Sequence, residues 1–238
     1  MREHNNFLEG IRDGIPICLG YLSVSFAFGI FAVGNGLTIL EALLVSMTNV
    51  TSAGQLAAVP IMTMGGSLIE LAVSMFVINM RYALMSVSLS QKLGKSVKFL
   101  NRFLIAFVNT DEVFAVASAR RGTVGKRYLY GLMLTPYLGW STGTLIGAVA
   151  GNVLPAVVIS ALGVAIYGMF IAIVVPPAKQ NRNTALCVVL AVVLSCLFYY
   201  LPALQQIPGG FVVIICAVAA SSLFAAIAPI PQEVDYED

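Results

Sequence analysis

Thr48-Asn49-Val50-Thr51-Ser52-Ala53-Gly54-Gln55 is the stretch on which the reading of the fold turns. It interrupts the apolar segment Leu37–Met64. Each arm beside it has about ten residues, or roughly 15 Å of helix, which reaches the middle of a bilayer and no further. Polar groups at that depth need internal partners or line a path for something polar. A second stretch, Asn109-Thr110-Asp111-Glu112, interrupts Phe99–Ala119 in the same way.

Around these stretches the chain is strongly apolar. Of its 238 residues 59% are hydrophobic and 10% charged, and the mean hydropathy is +0.91. A soluble domain carries about a quarter charged residues, so the fold class is an all-α integral membrane protein. The net charge of +2 comes without a dense Lys/Arg run, which argues against nucleic acid. Cys18, Cys187, Cys196 and Cys216 lie inside apolar runs and read as buried thiols, and His4 is the single histidine. Metal or histidine-based catalysis and a bound cofactor are therefore not expected. No cleavable signal peptide is read, because Pro16 to Val33 is too long and leads directly into more membrane sequence.

The spans read as Ile15–Val33, Ser67–Leu89, Tyr128–Ala150, Val153–Val175, Thr184–Leu201 and Gly209–Ile227, with a short polar segment before the first. Residues 1–228 form one polytopic domain, and 229–238 a short acidic tail. Basic residues set the orientation. Lys92, Lys95, Lys98 and Arg102 precede the second interrupted segment, Arg120, Arg121, Lys126 and Arg127 follow it, and Lys179 and Arg182 lie between later spans. The positive-inside rule places all three groups in the cytoplasm if Phe99–Ala119 enters and leaves on one side. The C-terminus is then cytoplasmic. The preferred arrangement has six full spans and two re-entrant segments, the first entering from the outer face. The alternative is eight continuous spans. Val45 to Thr51 lies over Ile105 to Asp111, with Asn49 on Asn109, and each segment is followed by a long span. Inverted repeats of this kind are a common transporter design.

The polar residues form a constellation. Asp111 and Glu112 are the only acids between Glu70 and Glu233. Adjacent acids repel, which favours one taking up a proton and suits proton coupling; alternatively both lie in water on an interfacial helix. Arg81, about two-thirds along its span, either snorkels to the cytoplasmic face or points inward to pair with an acid or hold a substrate carboxylate, with Asn79 beside it. Thr51, Ser52, Gly54 and Gln55 read as an unwound hinge for a carboxylate and an ammonium, or as a small-residue packing face. Gly131, Thr135, Gly139, Gly143, Gly147 and Gly151 recur every four residues and mark close helix contact, within the chain or with a partner. Tyr137 and Trp140 stand off that face and either line a cavity or pack. Pro16, Pro60 and Pro155 are candidate bends.

Thr51-Ser52-Ala53-Gly54-Gln55-Leu56-Ala57, Asn79-Met80-Arg81-Tyr82-Ala83-Leu84-Met85, Asp111-Glu112-Val113-Phe114-Ala115 and Tyr137-Leu138-Gly139-Trp140 occur in this order. Together they resemble the large subunit of the AzlC-type branched-chain amino acid exporters, over nearly the whole chain. One departure stands at the first stretch, where the family pattern reads Ala-Gly-Ser-Ala-Gln-Phe-Ala; Leu56 replaces the aromatic, which puts substrate preference in question. The resemblance implies a multi-pass bacterial inner-membrane transporter exporting leucine, isoleucine, valine or similar large neutral amino acids. It also implies a small hydrophobic AzlD-type subunit, for which the glycine ladder is one docking face. The reading is a proton-coupled secondary exporter, with Thr51, Ser52, Gly54, Gln55, Asn79, Arg81, Tyr137 and Trp140 expected at the substrate. Asp111 and Glu112 are expected to couple protons or pair with Arg81. A passive pore, an exporter of another small zwitterion, an accessory subunit and an intramembrane enzyme are the competitors; the last lacks a nucleophile–base pair.

Overall fold

The computed structural model describes residues 3–155, 157, 171 and 174–228. The predicted span Val153–Val175 lies largely outside these residues, and the acidic tail 229–238 entirely so. The chain divides into two compact units, Met1–Tyr167 and Gly168–Asp238.

The first unit opens with a two-residue strand, β1 (Glu3–His4), and then α1 (Phe7–Gly34). Asn6 caps α1, its side chain accepting from the N–H of Leu8. The helix thus starts eight residues before the predicted Ile15, and the polar segment is its first turns, with Pro16 accommodated inside. Gly36, at φ +97°, turns the chain into α2 (Ile39–Thr48), whose N-terminus carries a reciprocal capping box between Thr38 and Glu41. After Asn49-Val50-Thr51 the chain resumes as α3 (Ser52–Thr63). Gly65, at φ +75°, turns it into α4 (Leu68–Lys92), capped by Ser67. Next come α5 (Phe99–Phe107), a break at Val108-Asn109-Thr110, and α6 (Asp111–Ala119). A second strand, β2 (Thr123–Val124), leads into α7 (Lys126–Val153).

The strands settle the topology of this unit. β1 pairs in parallel with β2, Glu3 opposite Thr123 and His4 opposite Val124. Leu93, just past α4, bridges to Val124, and the Gly94 N–H donates to the Val124 carbonyl at 2.8 Å. The start of α1, the end of α4, the loop entering α5 and the start of α7 therefore share one face. Arg120 ties this face together: it pairs with Glu9 at 2.7 Å and with Asp13, and Tyr128 donates to Asp13 at 2.7 Å. Donating to the Asp13 carboxylate raises the Arg120 pKa above its ordinary value. Lys92 donates to the carbonyls of Ser118 and, at 2.8 Å, Arg120, capping the end of α6.

The segment α5–α6 accordingly enters and leaves on the basic face, which the positive-inside rule assigns to the cytoplasm. The 28 residues of α1 and the 25 of α4 run about 42 and 37 Å, enough to cross the hydrocarbon core. The end of α1 and the start of α4 thus lie on the opposite face, where α2–α3 both begins and ends. There the charges among residues 34–70 are Glu41 and Glu70 alone, near helix N-termini. The unit α2–α3–α4 and the unit α5–α6–α7 are oppositely directed.

The glycine ladder packs against α1. The backbones of Gly131, Gly143 and Gly147 meet those of Phe7, Leu22 and Phe26; Gly139 meets Cys18, and Gly151 meets Ile30. In return Gly10 and Gly29 meet the backbone of α7. The two parallel helices leave no room for a Cβ along most of this line, so the ladder is covered within the chain by α1. Two apolar clusters flank the middle. One gathers Ile17, Val113, Tyr128, Leu132 and Met133 near the basic face, the other Phe28, Ala32, Ala42, Val59 and Ala148 near the opposite face. On α4 the exposed Ile69, Val73, Phe76, Met80, Leu84 and Val87 recur every three or four residues, an apolar stripe on one face of the helix.

In the second unit, α8 (Arg182–Tyr200) starts at Asn181, whose side chain accepts from Asn183 N–H at 2.8 Å. It packs on α9 (Gly209–Ile227). Four described helices, α1, α4, α8 and α9, are long and apolar enough to cross a membrane. α7 has the length but is diluted by its glycines and hydroxyls.

Candidate functional site

Between the two apolar clusters lies a polar layer. Along α1 it holds Tyr21 and Ser25, and along α7 Tyr137 to Thr144, with Trp140 the fifteenth of 28 residues. Arg81, the fourteenth of the 25 residues of α4, is at the same depth. It stands at the centre of its helix rather than two-thirds along, because α4 runs on to Lys92 and closes against β2 instead of ending at Leu89.

The first break is neutral, and the side chain of Gln55 beside it is sealed from solvent. Gln55 is 0% exposed. Its amide donates to Ser46 Oγ at 2.8 Å and accepts from the indole N–H of Trp140 at 2.9 Å. Ser46 in turn meets Thr144 Oγ1 at 2.6 Å. Tyr137 donates to the Met47 carbonyl at 3.1 Å, satisfying one of the carbonyls that end α2. Thr51 donates to Asn49 Oδ1 at 2.9 Å, and Asn49 reaches Met75 Sδ on α4. The unwound residues are Asn49 to Thr51; Ser52, Gly54 and Gln55 are already helix α3, so the predicted hinge sits a few residues earlier. Gly54 instead permits close approach: a Cβ there would stand 3.2 Å from the Asn79 amide nitrogen. Among the described residues, Asn79 Oδ1 is buried without a hydrogen-bond partner.

The second break is charged and half open. Arg81 pairs with Asp111 at 2.6 Å, their side chains 52% and 43% exposed. The guanidinium also lies over the Tyr82 ring at 5.0 Å and donates to its hydroxyl at 3.2 Å. Hydrocarbon would leave such a pair unsolvated, so it faces water or protein. Glu112, beside Asp111 on α6, accepts from Tyr21. Asn109 donates to Ser86 on α4 at 3.1 Å, while among the described residues its Oδ1 is buried without a partner. Both breaks thus rest on α4 through an asparagine.

Tyr21 joins the two. Its ring stands edge-on to Trp140, centroids 5.1 Å apart. The structure brings together Gln55, Trp140, Tyr137, Arg81, Asp111 and Glu112, and sets Gly139, Gly143, Gly147 and Gly151 apart as the α1 contact. Sequence reasoning missed Tyr21, Ser46, Ser86 and Thr144. Tyr21 carried a usable signal, because a tyrosine buried in the middle of an apolar helix needs a partner for its hydroxyl.

These features define a polytopic helical membrane protein with two oppositely directed re-entrant segments meeting at a polar layer. The profile of the family described as AzlC protein matches residues 16–154. The chain belongs to the AzlC family, a family of membrane transporters. "Inner membrane protein YgaZ" of Escherichia coli (strain K12) is 32% identical over 79% of this chain and 78% of that protein. An "uncharacterized membrane protein" of Archaeoglobus fulgidus is 33% identical over 75% and 79%. One of Helicobacter pylori (strain ATCC 700392 / 26695) is 26% identical over 62% and 67%. No solved structure matches.

Proposed function

We propose that this chain is a proton-coupled exporter of branched-chain or other large neutral amino acids in a bacterial inner membrane, with its C-terminus in the cytoplasm and a small AzlD-type subunit beside it. The observation that carries the reading is the half-open Arg81–Asp111 pair at mid-depth. An amino acid is itself a pair of opposite charges. Its carboxylate takes the Arg81 fork and its ammonium takes Asp111, so the substrate replaces the internal pair charge for charge. Asn79 Oδ1 offers a further acceptor, and Thr51 and Ser52 stand near it at the head of α3. Gln55, Trp140 and Tyr137 hold the first break in shape.

Glu112 supplies the coupling. Ionised, it adds about 2–3 kcal/mol of attraction for an ammonium at roughly 6–8 Å and an effective dielectric of about 20, less where water screens it. A proton entering on Glu112 removes that attraction and releases the substrate, so proton and amino acid compete, as exchange requires.

The test is counterflow of labelled leucine in proteoliposomes holding this chain and its small partner. Trans-stimulation by isoleucine and valine is expected. Unsaturable flux without trans-stimulation marks a pore and overturns the reading. In cells, a dipeptide load should raise internal leucine, isoleucine, valine and methionine only when the pair is absent.

A further inference from the structure

Tyr21 touches Glu112 in the second break and Trp140, the indole that holds Gln55 in the first, and neither helix packing nor substrate binding requires that. We infer that Tyr21 is a positioning residue that transmits the charge state of Glu112, in the second break, to the Gln55 amide in the first, through the edge of Trp140. This rests on reading Glu112 as the acid that takes the proton.

Each link is directional. The Tyr21 hydroxyl donates to Glu112 Oε2. The Tyr21 ring meets Trp140 edge-on at 73°. The indole N–H donates to Gln55 Oε1 at 2.9 Å, and Gln55 continues to Ser46 and Thr144. While Glu112 is ionised, its charge strengthens the tyrosine bond to roughly twice a neutral one. An arriving proton bonds to a carboxylate oxygen and cancels that charge. Tyr21 keeps its own proton, but its acceptor is now neutral and the ring is held chiefly by Trp140. Any shift of the ring is then felt by an indole whose other side is fixed to Gln55. The apolar clusters clamp α1 and α7 on either side of this layer, at Ile17 with Met133 and at Phe28 with Ala148.

Among the described residues of this unit, the titratable and charged groups around Glu112 are Asp111, Arg81, Tyr82 and Tyr21. Asp111 precedes it on α6, with Arg81 of α4 paired to Asp111. Tyr82 of α4 is within electrostatic reach of both acids, and Tyr21 comes from α1. Neither α3 nor α7 beyond Arg127 carries a charge. Glu112 is thus the acid in direct contact with the relay, and Asp111 acts on it through space.

Trp140 is the only tryptophan of the chain, so its fluorescence reads the relay directly. The full-length protein in lipid nanodiscs is titrated over about pH 4 to 9, the range that spans a carboxyl group near its ordinary value and above it. Wild type should show a sigmoidal change in Trp140 emission. Glu112→Gln and Tyr21→Phe should both lose it, although phenylalanine keeps the ring against Trp140 and hence the packing. Asp111→Asn should keep it, since Asp111 pairs with Arg81 and does not touch Tyr21. Flat wild-type emission, or a wild-type transition in Tyr21→Phe, overturns the relay. Proteoliposome export on the same samples separates the two levels. If Glu112→Gln uncouples export while wild-type emission is flat, the proton role stands and the relay falls. If Glu112→Gln exports with full proton coupling, the underlying proton role falls.

Discussion

The first break is backed by a buried, paired network around Gln55; the second leaves its charges half open. Both are short unwound turns between two stub helices, both place an asparagine against α4, and they enter from opposite faces. Yet Gln55, Ser46, Thr144 and Trp140 form a closed chain of hydrogen bonds, while Arg81 and Asp111 meet at the edge of open space. A closed neutral network fixes geometry, because every member is satisfied only in one arrangement. An open ion pair fixes little and can exchange partners, because exposed pairs are worth about 0–1 kcal/mol. The fold therefore separates holding from handling, one break for each.

The comparison is broken most completely by labelling, which is all or none. In a background without native cysteines, Met64→Cys should react with an impermeant maleimide from the outside and Lys95→Cys only after the membrane is opened. Reaction of both from one side would end the opposed arrangement. Next comes stability. Gln55→Leu strands the Trp140 N–H and cuts the Ser46 link in a dry site, so about 2–4 kcal/mol should be lost, read as a fall in detergent melting temperature. Asp111→Asn should melt within about 1 kcal/mol of wild type yet lose substrate exchange in counterflow. Arg81→Lys keeps the charge without the fork, and about tenfold weaker substrate affinity is expected, measured as the counterflow half-saturation. The smallest effect belongs to Ser86→Ala, which removes one partner of Asn109 and should cost about 1 kcal/mol in the same melting assay.

Much of this could be read in the chain itself. The two interrupted segments followed from arm lengths of half a bilayer, and the basic clusters around 92–102 and 120–127 already required α5–α6 to turn back. Whether 37–64 crossed could not be read, because that stretch has no Lys or Arg; the β1–β2 pairing decided it, and two-residue strands leave no periodic signal. Arg81 with Asp111 was one of several pairings open to a reader, since the acids are adjacent and only packing assigns Asp111 to Arg81 and Glu112 to Tyr21. Ser46 and Thr144 were invisible because isolated hydroxyls in apolar helices usually bond their own backbone. The ladder was legible as close contact, but a row of glycines does not name its partner, which proved to be α1.

The strand pairing at the basic face has a consequence for how the protein is made. His4 leaves the ribosome long before Val124, the residue it must lie beside. The first helix also waits for α7, the parallel neighbour that fills its glycine-lined flank. Until then the amino-terminal segment has no strand to join, and α1 sits in lipid with its closest contact surface bare. Biogenesis of this half of the protein is thus a ring closure, completed only when the seventh helix enters the membrane alongside the first.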